Sequence, residues 1–171
     1  HGGGALRPLL IPEARHAEEL KRAGHLNKVP MSSREVSDVL MLAMGAYTPI
    51  DGFMGKNDWH GTCTDMTLSN GIFWPIPITL SAETSLAETI DENEEIALVD
   101  GENGKIMGVM RVTEKYRPDK ALECEHVFRT TDTAHPGVEK VMSQGDVNLS
   151  GPVTVINEGD FPSLFSNLYI R

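Results

Sequence analysis

The chain has 171 residues, 15 Lys+Arg against 25 Asp+Glu, a formal charge of -10 at pH 7 and a hydrophobic fraction of 40%. A chain of this length buries roughly two thirds of its unfolded surface, so one domain with its own core is expected and no staples are needed. The basic residues are scattered, which argues against sequence-independent binding driven by phosphate neutralisation, and every apolar run is too short to cross a bilayer.

The first predicted element is an amphipathic helix over residues 12–23, with Ala14, Ala17, Leu20 and Ala23 among charged residues, Pro12 at its start and Gly24 as its stop. Ser32-Ser-Arg-Glu35 is a capping-box pattern ahead of Val36, Val39, Leu40 and Ala43, whose spacing predicts a helix ending at Gly45. The stretch from Gly45 to Trp59 then reads as a packed joint. Gly45 suits a left-handed helix end, Thr48-Pro49 forces an extended step, and Asp51-Gly52 offers a turn. Tyr47, Ile50, Phe53 and Trp59 are apolar anchors that a flexible linker would lack, and Tyr47 and Phe53 are expected to fix the helical arm to the core.

Ser69-Asn-Gly71 is a turn signal. Residues 72–80 alternate apolar side chains with Pro75 and Pro77, which predicts an edge or bent strand. Residues 95–99 and 105–112 flank the polar loop 100–104 and predict a β-hairpin, with Gly101 and Gly104 as turn glycines. A short helix is expected over 118–129, another over 136–145 between Pro136 and Gly145, and a strand over 152–156. Short strands with helices between them predict an α+β domain on a strongly bent or barrel-like sheet.

Several patterns resemble functional motifs and fail on spacing. Gly52-Phe-Met-Gly-Lys56 has two residues between its glycines and Asn57 after the lysine, whereas a phosphate loop needs four residues and then Ser or Thr. Glu123-Cys-Glu-His126 has one carboxylate-histidine pair at a helical i, i+3 spacing, where carboxylate-bridged metal sites use two. A solvated helix face is the expectation there. His60 and Cys63 are half of a zinc pattern. His135-Pro136-Gly137 begins a helix whose first N–H groups are a minor candidate for an anion or a partner's carboxylate. Cys63 and Cys124 form no CxxC pattern, and the start His1-Gly-Gly-Gly-Ala-Leu6 is unlike a signal peptide, so a reducing, cytoplasmic setting is expected.

Three motifs in order carry a family resemblance: Gly45-Ala-Tyr-Thr-Pro-Ile-Asp-Gly-Phe-Met54, Asn70-Gly-Ile-Phe-Trp-Pro-Ile-Pro-Ile78 and Thr130-Thr-Asp-Thr-Ala-His-Pro-Gly-Val138. Together with the His1-Gly-Gly opening, they resemble the N-terminal domain of the sulfate adenylyltransferase (ATP sulfurylase) family. The resemblance implies a PUA-like bent β-barrel with N-terminal helices and inserted short helices. It divides residues 1–171 into a helical arm, 1–45, and a barrel, 46–171, with a catalytic nucleotidyltransferase domain expected after residue 171. It also implies an enzyme that converts MgATP and sulfate to adenosine 5′-phosphosulfate and pyrophosphate. That family's Gln-x-Arg-Asn-Pro-x-His and His-Asn-Gly-His motifs do not occur in these 171 residues. No catalytic, cofactor-binding or metal residue is therefore carried over, and this chain alone is expected to be inactive and to hold no cofactor. Its expected partner is the catalytic domain of the same polypeptide, with homo-oligomerisation left open and neither nucleic acid nor membrane expected. The alternative is a free-standing PUA-like nucleic-acid-binding module, which the acidic balance opposes.

Overall fold

The computed structural model describes residues 4–168. The expectations for His1 to Gly3 and for the end at Tyr169 to Arg171 lie outside the described residues. A 3-10 turn, Glu13–Arg15, leads into α1, His16–Ala23, and both are where the periodicity placed them. Helix α2, Ser33–Ala43, carries the predicted capping box: the Ser32 side chain accepts from the Glu35 N–H while the Glu35 carboxylate accepts from the Ser32 N–H. Gly45 then turns the chain at φ +79°, and a Cβ there would sit 2.9 Å from the Pro8 nitrogen.

Between these helices lies β1, Asn27–Met31, which pairs in parallel with β4, Glu95–Asp100. The segment expected to be a helical arm thus also supplies a strand to the sheet. Strand β5, Ile106–Arg111, completes the predicted hairpin with β4, and a register shift falls between Leu98 and Val99.

The organising element is β7, Val147–Val155. Its first half pairs with β3, Leu80–Ala82, and with β6, Glu114–Tyr116; its second half pairs with β5 and with β2, Gly52–Phe53. The seven strands thus curl into a half-barrel around β7. Two backbones approach closely at this hub. A Cβ on Gly52 would meet the Gly151 carbonyl oxygen at 2.0 Å, and one on Gly151 (φ +150°) would meet that of Arg111 at 1.9 Å. Only glycine permits this contact.

The strand predicted over 152–156 is therefore longer than its apolar run. Asn148 and Ser150 interrupt the hydrophobic pattern, yet both are buried, because the Asn148 amide donates to the Tyr116 hydroxyl and the Ser150 hydroxyl to the Glu114 carbonyl. The strand predicted over 72–80 is a correction in the other direction. Only Leu80–Ala82 joins the sheet, and the residues before it run as an irregular segment. Pro75 and Pro77 remove the ladder donors that a strand there would need.

Most of the remaining helices are short. Helix α3, Lys56–Asp65, starts inside the expected joint; its sequence has no apolar stripe to announce it. Next come α4, Thr84–Ala87, and α5, Lys120–Glu123, which passes directly into a π-helical turn, Cys124–Phe128. Helix α6, Pro136–Met142, begins as predicted but stops before Gly145, and α7, Phe161–Leu164, is the last. Gly145 instead lies against β3, where a Cβ would come 2.3 Å from the Ala82 backbone.

The main core fills the concave side of the sheet, with Val39, Leu42, Phe53, Leu80, Leu98, Met110 and Leu149 among its members. A second cluster on the outer face of β4 and β5 packs Ala97 and Val109 against Ala23 and Leu20 of α1. Every residue of β4 after Glu95 is buried because both faces are covered.

Candidate functional site

The joint is the most elaborated part of the surface. Its peptide bond Thr48-Pro49 is cis. The Thr48 hydroxyl donates to the Gly45 carbonyl at 2.7 Å and accepts from the Arg7 N–H at 2.9 Å, tying the N-terminal segment to the turn. The Tyr47 hydroxyl donates to Asp38 Oδ1 at 3.0 Å, and its ring meets the Trp74 ring edge-on with centroids 5.5 Å apart. Asp51 precedes β2, so the Asp51-Gly52 pair expected to form a turn instead leads into a strand.

A cleft of about 340 Å³ opens at this joint, lined by Arg7, Asp51, Asp58, Asn70 and Glu114 among others. Its polar groups are engaged within the chain. Asp58 Oδ1 accepts from the Ser69 N–H at 2.8 Å, and Arg7 stands 3.8 Å from Asp51. Glu114 Oε2 accepts the Lys56 N–H at 2.9 Å. This last contact occupies the amide at the end of the Gly52-to-Lys56 segment. The N-terminus of α3 attracts negative charge, as any helix N-terminus does, and the chain's own carboxylate satisfies it. Three carboxylates, Asp51, Asp58 and Glu114, and one arginine, Arg7, are the charged side chains of its lining.

The Glu123-to-His126 run departs from the solvated helix face expected of it. Helix α5 changes to a π turn at Cys124, and Glu123 is buried, its Oε2 accepting the Trp59 indole N–H at 2.7 Å. Burial pushes the Glu123 carboxyl above its usual range, with the Trp59 hydrogen bond opposing. Cys63 packs beside Trp59 and Tyr116, and burial pushes its thiol up to about 12; Cys124 is raised by the same cause. Both thiols are free and buried. His60, the other half of the zinc-like pair, is exposed, so the two residues lie on different faces of α3. Among the described residues no group of three or more His, Cys, Asp or Glu is placed to hold a metal ion.

His135 also differs from expectation. Its Nδ1 accepts the Gly137 N–H at 3.1 Å, so the donor proposed for an external anion is capped by the preceding side chain. The imidazole lies against Phe128 with centroids 5.2 Å apart, and a Cβ on Gly137 would meet the Phe128 ring at 2.6 Å. The His-Pro-Gly motif therefore has a packing explanation.

Two buried carboxylates near the start of α2 escaped sequence reasoning in their tertiary roles. Glu35 is 1% exposed; beyond its capping-box bonds, its Oε1 accepts the Ser81 N–H at 2.7 Å and so clamps α2 to β3. Asp38 is held by Tyr47 and, at 3.1 Å, by Arg34; burial raises its carboxyl to about 6 despite the arginine. Only the capping-box spacing hinted at Glu35, and nothing local marked Asp38.

Residues 1–158 match the family described as PUA-like domain. The chain belongs to the PUA-like domain family. The PUA-like chain is also similar to curated sulfate adenylyltransferases: 56% identical to that of Syntrophobacter fumaroxidans over 97% of this chain and 41% of the relative. It is 49% identical to that of Thiobacillus denitrificans over 99% of this chain and 42% of the relative, and 52% identical to that of Chlorobaculum tepidum over 96% and 41%. The PUA-like chain thus spans well under half the length of these relatives. Among solved structures, the hexameric APS kinase from Thiobacillus denitrificans superposes with a TM-score of 0.71 at 26% identity, over 98% of this chain and 28% of that one.

Proposed function

We propose that this PUA-like chain is the N-terminal, non-catalytic domain of a sulfate adenylyltransferase and that a catalytic nucleotidyltransferase domain follows residue 171 in the polypeptide. The observation that carries the reading is the similarity to sulfate adenylyltransferases over nearly the whole chain. In the reaction, a sulfate oxygen displaces pyrophosphate from the α-phosphorus of MgATP, giving adenosine 5′-phosphosulfate. Such a displacement is accelerated by positioning and by cationic groups that meet the developing charge. The joint cleft, with its acids engaged internally, is unsuited to that work, so no substrate-contacting residue is assigned here and the nucleotide belongs to the following domain. The role of these residues is to fold, pack against that domain and hold it in place. The two reduced, buried thiols support a cytoplasmic setting, and no helix of the described residues is long and apolar enough to cross a membrane.

The test is pyrophosphate release from MgATP and sulfate, measured for the 171-residue chain and for the longer polypeptide that contains it. Turnover is expected only from the longer form; turnover by the short chain would place the active site here. A salt-dependent RNA titration checks the nucleic-acid alternative, and tight binding at physiological salt would replace this reading.

A further inference from the structure

Residues 72–78 contain no charged side chain in a chain of formal charge -10. Their side chains divide cleanly. Ile72 and Trp74 pack on the core, and Ile78 is buried, while Phe73 is 67% and Ile76 57% exposed. The backbone is anchored below: the Trp74 N–H donates to the Met66 carbonyl at 2.8 Å, and the Met54 N–H donates to the Ile78 carbonyl at 2.9 Å. Phe73 and Ile76 therefore stand on a fixed, proline-stiffened ridge. Beside it runs a groove of about 280 Å³ lined by Ile76, Pro77, Phe128 and Val141, with Arg34, Lys140 and the buried Glu123 also in its wall. A second hollow, of about 360 Å³, borders Phe73 on the opposite flank, against Pro49 and Trp74.

We propose that this ridge and the groove beside Ile76 are the surface on which the remaining part of the same polypeptide docks. The proposal rests on the reading of the chain as one domain of a longer enzyme and names where the two parts meet. The length of chain outside the structure argues for that occupant: the chain accounts for 41% of its relative from Syntrophobacter fumaroxidans, so more than half of such a polypeptide has yet to find a surface here. A tethered neighbour also suits the physics. An apolar ridge held rigid before binding loses little entropy when covered, which favours a permanent contact, and a covalent link makes that contact intramolecular. A second copy would instead bring another formal charge of -10 against the first. Arg34 is already paired with Asp38 at 3.1 Å, so the occupant presents apolar side chains to Phe73 and Ile76 and a carboxylate to Lys140.

The test compares amide hydrogen exchange of residues 66–78 in the 171-residue chain and in the longer polypeptide, together with F73D and I76D in both. Exchange at this segment is expected to slow at least tenfold in the longer form. In that form F73D and I76D are expected to restore fast exchange and to speed proteolytic cleavage between the two parts, while neither changes the melting temperature of the short chain. Equal exchange in both forms would overturn the proposal. So would protection that depends on protein concentration and is lost with a fall in oligomer mass in F73D, since that assigns the ridge to a second copy. Pyrophosphate release tests the enzyme reading separately, so a longer polypeptide that protects the ridge yet makes no adenosine phosphosulfate would sink only that reading.

Discussion

Segments 50–59 and 72–78 are alike as sequence, each setting large apolar side chains among turn-forming residues. In the fold they part company. Phe53, Met54 and Trp59 are at most 4% exposed, whereas Phe73 and Ile76 stay in solvent. The difference lies in the backbone. Gly52 lets β2 lie against Gly151 of β7 with no side chain between, and this draws the flanking anchors into the core. Pro75 and Pro77 deny the second segment the donors it would need, so the sheet gains only Leu80–Ala82. Apolarity decides that a segment will seek cover; hydrogen-bonding capacity and room for the main chain decide whether the sheet provides it.

The sharpest way to break this contrast is at the glycine contact. Gly52→Val puts its side chain into the Gly151 carbonyl and is expected to cost at least about 4 kcal/mol in urea denaturation, enough to unfold much of the population. A smaller loss would mean that β2 can move off β7 without disturbing the core. Truncating the anchor beside it, Phe53→Ala, should cost about 3–5 kcal/mol in the same measurement. An unchanged midpoint would show that the joint is not held by its aromatic side chain.

Asp38, which accepts from Tyr47, sharpens the comparison through pH. An unfolded aspartate titrates near ~3.9, whereas in the fold Asp38 is raised to about 6 by burial. The native state thus keeps a proton that the unfolded chain has already lost. The stabilisation from this group is complete below about pH 4 and disappears as pH rises through about 6. Relative to Asp38→Asn, the parent chain should lose up to about 3 kcal/mol across that window. A constant difference between the two would show that Asp38 is ionised in the fold. The smallest effect belongs to the ridge: Phe73→Ser in the 171-residue chain should change stability by no more than about 0.5 kcal/mol, because the side chain is already in water. A loss comparable to that of Phe53→Ala would erase the distinction between the two segments.

Much of the fold could be read residue by residue, with a consistent limit. The Ser32 and Glu35 capping box, the stop at Gly24, the Ser69-Asn-Gly71 turn and the β4–β5 hairpin all use partners a few residues apart, and all are present. Helix α3 was not readable, since Lys56 to Asp65 has weak helix formers and no apolar stripe; its N-terminus is capped by Glu114, 58 residues away. The first half of β7 was hidden by Asn148 and Ser150, polar residues whose partners on β6 exist only after the sheet has formed. At the joint, the spacing of Gly52 to Lys56 departs from a phosphate loop, and only the fold shows that the Lys56 amide is paired with Glu114. Nothing local marks Glu123 as buried, because its partner, Trp59, is 64 residues distant.

By itself, then, the sequence determined the local punctuation, the acidic balance and the ordered motifs by which the chain resembles its relatives. Tertiary structure alone decided that β7 is the hub, that Glu35 clamps α2 to Ser81 and that Phe73 and Ile76 are left outside. Capping and turn formation depend on neighbours along the chain, whose spacing is written in the sequence. Burial and strand pairing depend on what the completed fold brings alongside, and in this protein the deciding partners are 32 to 64 residues apart.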